Sequence, residues 1–211
     1  MLSIIIGFPI LIFSIILHEI SHGFMADHLG DPTARLSGRL TLNPIPHIDP
    51  LMSIALPFLL ILTGSSVIFG AAKPVPIDPF NFRDGRKDMG LVGLAGPATN
   101  LTLALLAAIL AKILIFIHPP LAVGSFLFGI LQLTALYNLL LAAFNLIPIP
   151  PLDGSRILGA ILPEKQAHFL GFLEPYGIFI LFFFLLFPIG GFSLGHLVFN
   201  LVSFWMRILG L

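Results

Sequence analysis

The sequence predicts an all-α polytopic membrane protein with about five to six membrane segments, and three observations carry that reading. Of the 211 residues, 57% are hydrophobic and only 9% are charged, whereas soluble domains carry roughly 25% charged residues. A chain so poor in charge cannot cover its surface with polar groups and has to present apolar surface to lipid. Apolar runs near the ~20-residue length that crosses a bilayer as a helix recur along the chain. The connections between them collect the prolines, glycines and charges, as in "DHLGDPTARLSGRLTLNPIPHIDP" at 27–50 and "GAAKPVPIDPFNFRDGRKDMG" at 70–90.

Taken in order, the run 2–27 lacks a basic leader and a small-residue cleavage site, so it reads as a retained membrane segment. The run 51–69 contains Pro57 and "TGSS" at 63–66. Lysine and arginine accumulate in cytoplasmic loops. Arg35 and Arg39 lie before this run, and Lys73, Arg83, Arg86 and Lys87 after it. A full crossing by 51–69 would set these two basic connections on opposite sides. A segment that dips in and returns keeps both inside, with the N-terminus outside, and irregular backbone is tolerated at membrane depth where protein shields it. The runs 90–117 and 121–147 then cross. The runs 169–188 and 192–210, almost pure Phe, Leu, Ile and Gly, form a C-terminal helical pair expected to pack against lipid. With no internal repeat or low-complexity tract, residues 1–211 read as a single membrane-embedded domain, its core at about 10–160.

Composition also excludes. The net charge is zero, so there is no basic surface for a nucleic-acid partner. There is no cysteine, hence no disulfide framework and no thiolate ligand, and a metal site here has to use His, Asp or Glu.

The stretch "SIILHEISHGF" at 14–24 sets His18, Glu19 and His22 inside an apolar run. An ionisable group in a membrane helix costs on the order of 3 kcal/mol even on lenient insertion scales, which makes it a functional-site hypothesis. Four residues apart, His18 and His22 share one helix face and can hold one metal ion. Glu19 lies about 100° round the helix, beside the ion, where a general base for a metal-activated water belongs. A tetrahedral zinc then lacks one protein ligand. Glu164 and Glu174 sit beside prolines at connecting positions, and Asp27, Asp31 and Asp49 lie where an Asp more often caps a turn. Asp153, in "FNLIPIPPLDGSRIL" at 144–158, is the best third ligand. Pro148, Pro150 and Pro151 forbid a regular helix before it, and an unwound segment lets its carboxylate swing toward a metal. Asp153 also fits a helix N-cap.

Asn145 and Asn100 are candidates to hold a substrate carbonyl or donate to a developing oxyanion; hydrogen bonding between helices is the alternative use for each. His28, His47, His118, His168 and His196 fall near segment ends and read as interfacial or solvated.

"HEISH" at 18–22, "GAAKPVP" at 70–76, "AGPATN" at 95–100 and "FNLIPIPPLDG" at 144–154 together resemble the site-2 protease family of intramembrane zinc metalloproteases. The resemblance is greatest to its small bacterial and archaeal members without a PDZ or CBS domain. It implies one Zn2+ held by His18, His22 and Asp153, Glu19 as catalytic base, and Asn145 binding the substrate backbone. It implies cleavage of transmembrane protein substrates, as in regulated intramembrane proteolysis, at a prokaryotic plasma membrane; the basic connections, with 51–69 re-entrant, put the active site toward the cytoplasm. It also implies a small membrane-associated β-element, which "RLTLNP" (39–44) and "AAKPVPID" (71–78) could build. A non-proteolytic zinc-binding scaffold and an ion transporter are the competing readings; an intact Glu19 argues against the first, since binding alone needs no base.

Overall fold

A computed structural model describes residues 2–64, 70–187, 190 and 193–211. Its α-helices are α1 (Leu2–Leu29), α2 (Thr33–Leu36), α3 (Leu56–Leu62), α4 (Gly85–Ile117), α5 (Leu121–Asn145), α6 (Asp153–Ile161), α7 (Glu164–Phe172), α8 (Gly177–Leu186) and α9 (Leu194–Leu209). Among the described residues, four stretches are long and apolar enough to cross a membrane: Ile5–Leu29, Gly85–Ile117, Leu121–Asn145 and Glu164–Leu185. That makes a multi-pass membrane protein with four spans of full length, where about five to six segments were expected; α9 and Pro50–Leu60 are apolar but shorter.

Helix α4 is the hub, packed against α1, α5 and α6. Its buried residues include the small Ala104, Ala107, Ala108 and Ala111, of which Ala104 and Ala107 cluster with Ala135 and Ala143 of α5. Lipid is as apolar as leucine, so membrane helices gain little by burying bulk and instead associate through small residues that let backbones approach. The large side chains point outward accordingly: Phe8, Phe13, Phe116 and Phe126 are all exposed. The C-terminal pair is not wholly lipid-facing. Leu181 of α8 and Leu194, Val198 and Val202 of α9 are buried in the same cluster as Leu139 and Ala143 of α5.

The segment 51–69 begins as a π-helical turn, Pro50–Ala55, capped by the Asp49 carboxylate, and continues into α3. Its two ends meet. The N–H of Ala71 donates to the Met52 carbonyl at 3.2 Å, and the Ser53 hydroxyl donates to the Ala71 carbonyl at 2.7 Å. A single crossing would hold such ends about 30 Å apart, whereas here they are within hydrogen-bonding distance. Residues 65–69 themselves lie outside the described residues, as does part of the "TGSS" stretch.

The β-element is not formed: among the described residues there is no strand. Residues 71–78 run as an extended strap without a ladder, and 39–44 bend away through the turn in which Asn43 N–H meets Thr41 Oγ1 at 3.2 Å. The reason lies in the strap's own sequence. Pro74 and Pro76 have no N–H to give a neighbouring strand. Of the remaining donors, Lys73 N–H goes to the His47 carbonyl (2.9 Å), Val75 N–H to Glu19 Oε2 (2.9 Å) and Asp78 N–H to Asp31 Oδ2 (2.8 Å). The strap is therefore tied to the carboxylates of Glu19 and Asp31 and to the His47 backbone. His47, expected at a solvated position, is buried beneath this loop with Nε2 2.9 Å from the Thr41 carbonyl.

Candidate metal centre

One buried face of α1 carries both histidines of the H-E-x-x-H run, and their Nε2 atoms lie 3.0 Å apart. Asp153 comes to them from the far end of the chain. After α5 the prolines turn the backbone through 148–151, with a cis bond between Pro150 and Pro151, and α6 opens on Asp153. Its Oδ2 lies 3.1 Å from His18 Nε2 and 3.2 Å from His22 Nε2. Gly154 is what lets the turn close: a Cβ there would lie 2.3 Å and 2.5 Å from the carbonyl oxygens of Leu146 and Ile147. Asp153 is thus the first residue of α6 and makes no capping bond of its own.

The protons on the two rings can be placed from their other nitrogens. His22 Nδ1 lies 2.7 Å from the Val92 carbonyl, so it donates. His18 Nδ1 lies 2.6 Å from Asn100 Oδ1 and donates likewise. With the proton on Nδ1, a ring acting as a metal ligand turns the lone pair of Nε2 to the point that Asp153 Oδ2 also faces, and that oxygen is buried without a hydrogen-bond partner. Lone pairs of two imine nitrogens and a carboxylate oxygen repel at such distances unless a cation lies among them. A tetrahedral zinc site with bonds of about 2.0–2.1 Å has edges of roughly 3.3 Å, close to the triangle observed. The three residues fit a divalent cation.

Gly96 of α4 passes directly behind the rings. A Cβ on it would meet His18 Cε1 at 2.4 Å and His22 Nε2 at 2.5 Å. Glu19 opens onto a small cavity of about 120 Å³ shared with His18, His22, Asp153 and Asn145. Its Oε2 accepts from the Val75 N–H of the strap at 2.9 Å, which leaves the second oxygen outside that bond. Asn145, the last residue of α5, lines the cavity too, and one amide N–H turns back to the Leu141 carbonyl at 3.0 Å.

Asn100 is placed differently from expectation. It is fully buried, with Oδ1 on His18 and Nδ2 donating to Asn138 Oδ1 at 2.8 Å, so neither end faces a substrate. Two residues near the site escaped sequence reasoning. Arg156, one turn along α6, sets its guanidinium 3.6 Å from Asp153 Oδ1 and lines the cavity. Asn138 lies behind Asn100; an amide in the middle of the apolar run 121–147 was the signal that could have found it. Of the acidic residues set aside, Asp27 pairs with Arg35 at 3.0 Å, and Asp31 and Asp49 accept backbone N–H groups in turns.

A family model described as Peptidase family M50 matches residues 113–188, which include Asn145 and Asp153. YwhC of Bacillus subtilis, provisionally named a zinc metalloprotease, is 36% identical over 187 residues, covering 87% of this chain and 81% of its own. Rip2 of Mycobacterium tuberculosis strain H37Rv, with the same provisional name, is 35% identical over 195 residues, 92% of this chain and 69% of its own. A protein of Methanocaldococcus jannaschii named a zinc metalloprotease is 35% identical over 77 residues, 36% of this chain and 21% of its own. No solved structure matches the chain.

Proposed function

The chain belongs to peptidase family M50, and from that premise we propose that it is an intramembrane zinc metalloendopeptidase that hydrolyses peptide bonds in or beside transmembrane segments of other proteins. The observation that carries this is the convergence of two imidazole Nε2 atoms and an unpartnered carboxylate oxygen on one point. His18, His22 and Asp153 would hold the ion. Bound zinc supplies a Lewis acid, which polarises a carbonyl and brings the pKa of water toward neutrality.

The rest is the work of the chain's own groups. Glu19, tethered through one oxygen to Val75, has the other free to take a proton from water and deliver it to the leaving amine. Asn145 stands on the cavity wall, where its amide can hold the substrate backbone. The cavity admits a few waters and no folded segment, so a substrate helix has to unwind before its amides are reachable. The strap 71–78, with Pro74, Val75 and Ile77 on the cavity, is the surface along which an unwound backbone would lie.

We place the active site toward the cytoplasm of a prokaryotic plasma membrane, with residues 1–211 acting as one domain. What supports the side is that the two basic connections meet: Arg39 donates to the Lys73 carbonyl at 2.7 Å. The test is cleavage of a model transmembrane substrate in proteoliposomes, with and without a zinc chelator. Glu19→Gln should abolish cleavage while the protein keeps its zinc. Cleavage that survives either the substitution or the chelator would refute the assignment. A scaffold or a transporter would leave the substrate intact throughout.

A further inference from the structure

We propose that Asn138 is a positioning residue of the metal centre: it locks the Asn100 amide in the one orientation that keeps the Nε2 lone pair of His18 free for the ion. The proposal rests on the zinc reading above.

The two histidines acquire their tautomers by different means. His22 Nδ1 donates to the Val92 carbonyl, a backbone acceptor that cannot turn round. His18 Nδ1 donates to Asn100 Oδ1, one end of an amide that can. Rotating that amide by half a turn exchanges its oxygen for its NH2 with almost no change of shape. Two donors would then face each other. His18 could relieve this only by moving its proton from Nδ1 to Nε2, where the ligating lone pair has to be. Asn100 therefore decides whether His18 can bind a metal, and something has to decide for Asn100.

Asn138 does so. Asn100 Nδ2 donates to Asn138 Oδ1 at 2.8 Å, so Asn138 offers an acceptor where a flipped Asn100 would place its own oxygen. Asn138 is oriented in turn. Its Nδ2 donates to the Thr134 carbonyl at 2.9 Å and to Ser14 Oγ at 2.9 Å. The Thr134 carbonyl is backbone and only accepts, so the series ends in a group with one possible polarity. Ser14 can accept or donate and thus follows the arrangement without setting it. Asn100 and Asn138 are both 0% exposed, and buried amides without water to turn to are held to the partners they have.

A bracing role, in which Asn138 merely joins α1, α4 and α5, also predicts harm when it is removed. The two roles separate at position 100. An aspartate there presents an oxygen to His18 whichever way it is turned, so it has no orientation for Asn138 to fix. Zinc affinity would be measured on the full-length protein in detergent by competition with a chromophoric chelator. Asn138→Leu should weaken zinc binding by about 10–100-fold, the usual loss when an outer partner of a ligating histidine is removed. Asn100→Asp should still bind zinc, and adding Asn138→Leu to it should cause no further loss of affinity beyond about twofold, since what it removes is an oxygen facing the second carboxylate oxygen. Equal losses in both backgrounds would overturn the proposal in favour of bracing, and no loss in either would overturn it outright. If Asn138→Leu does not accumulate folded, Asn138→Ala is carried through the same cycle. Wild-type protein that takes up no zinc would sink the zinc reading and this proposal together; wild-type and Asn138→Leu proteins that bind equally would sink this proposal alone.

Discussion

Gly96 shows how little room the metal centre leaves. Its α-carbon lies so close behind the rings that one added methyl would contact both, at 2.4 Å from His18 Cε1 and 2.5 Å from His22 Nε2. The neighbours cannot give way, because each ring is also fixed through Nδ1 to α4, by Val92 and Asn100. Gly96→Ala should therefore weaken zinc binding by the equivalent of about 1–3 kcal/mol, the usual cost of overpacking, measured by chelator competition. Gly129→Ala on α5, where a Cβ would meet nothing within 4 Å, serves as the control and should bind as the wild type does. Equal binding by the two variants would show that the rings are free to move. At this scale the sequence was readable wherever chemistry depends on local spacing. His18 and His22 share a face because they are one turn apart, and Pro148, Pro150 and Pro151 announced the unwound approach to Asp153. Asn100 and Asn138 were visible as polar residues, but which way a buried amide points depends on its neighbours across three helices, and no spacing records that.

The strap 71–78 is the element in which expectation and structure part most clearly. Resemblance implied a paired strand, yet Pro74 and Pro76 already stood in the sequence as residues that leave gaps in any ladder. What the sequence did not reveal was the replacement for pairing: Glu19 on Val75, Arg39 on the Lys73 carbonyl, and above all Asp31. Asp31 is fully buried and accepts from Asp78 N–H (2.8 Å), Asn81 Nδ2 (2.8 Å), Thr33 N–H (3.1 Å) and the Thr33 hydroxyl. Burial works to raise its pKa, but the bonds from Thr33, Asp78 and Asn81 outweigh it and hold the carboxyl below its ordinary 3.8. A group depressed in the folded state stabilises it above the unfolded pKa, and that contribution is lost as pH falls through the folded pKa. The strap should accordingly stay anchored from neutral pH down to about 4 and loosen in stronger acid. Asp31→Asn should loosen it at neutral pH by about 1–3 kcal/mol, since the amide turns a donor toward groups that also donate. Hydrogen exchange at the Asp78 amide reads both effects. Protection there that is unchanged in Asp31→Asn would show that the strap is held by other means.

At the scale of the whole molecule, composition alone declared a membrane protein, because a chain with 9% charged residues has no soluble surface to build. Which ends of its segments lie together is a different matter, set by long-range contacts and tested only weakly by counting basic residues. The structure joins Met52 to Ala71 and Arg39 to Lys73, so the connection before α3 and the strap after it share one end of the molecule. The turn between α4 and α5 lies one full-length helix away: α4 has 33 residues, roughly 50 Å at 1.5 Å per residue. The absence of cysteine makes this arrangement directly measurable. Single cysteines at three exposed positions, Ser37→Cys, Arg86→Cys and His118→Cys, can be challenged in sealed vesicles of known orientation with a maleimide that does not cross membranes. Ser37→Cys and Arg86→Cys should label from the same side, the cytoplasmic one if basic loops report orientation faithfully, and His118→Cys only from the other. Labelling of Ser37→Cys and Arg86→Cys from opposite sides would mean that the segment between them crosses once. The strap could not then lie against Glu19 at the end of α1 that Arg39 marks, and the cavity around the two histidines would lose its wall.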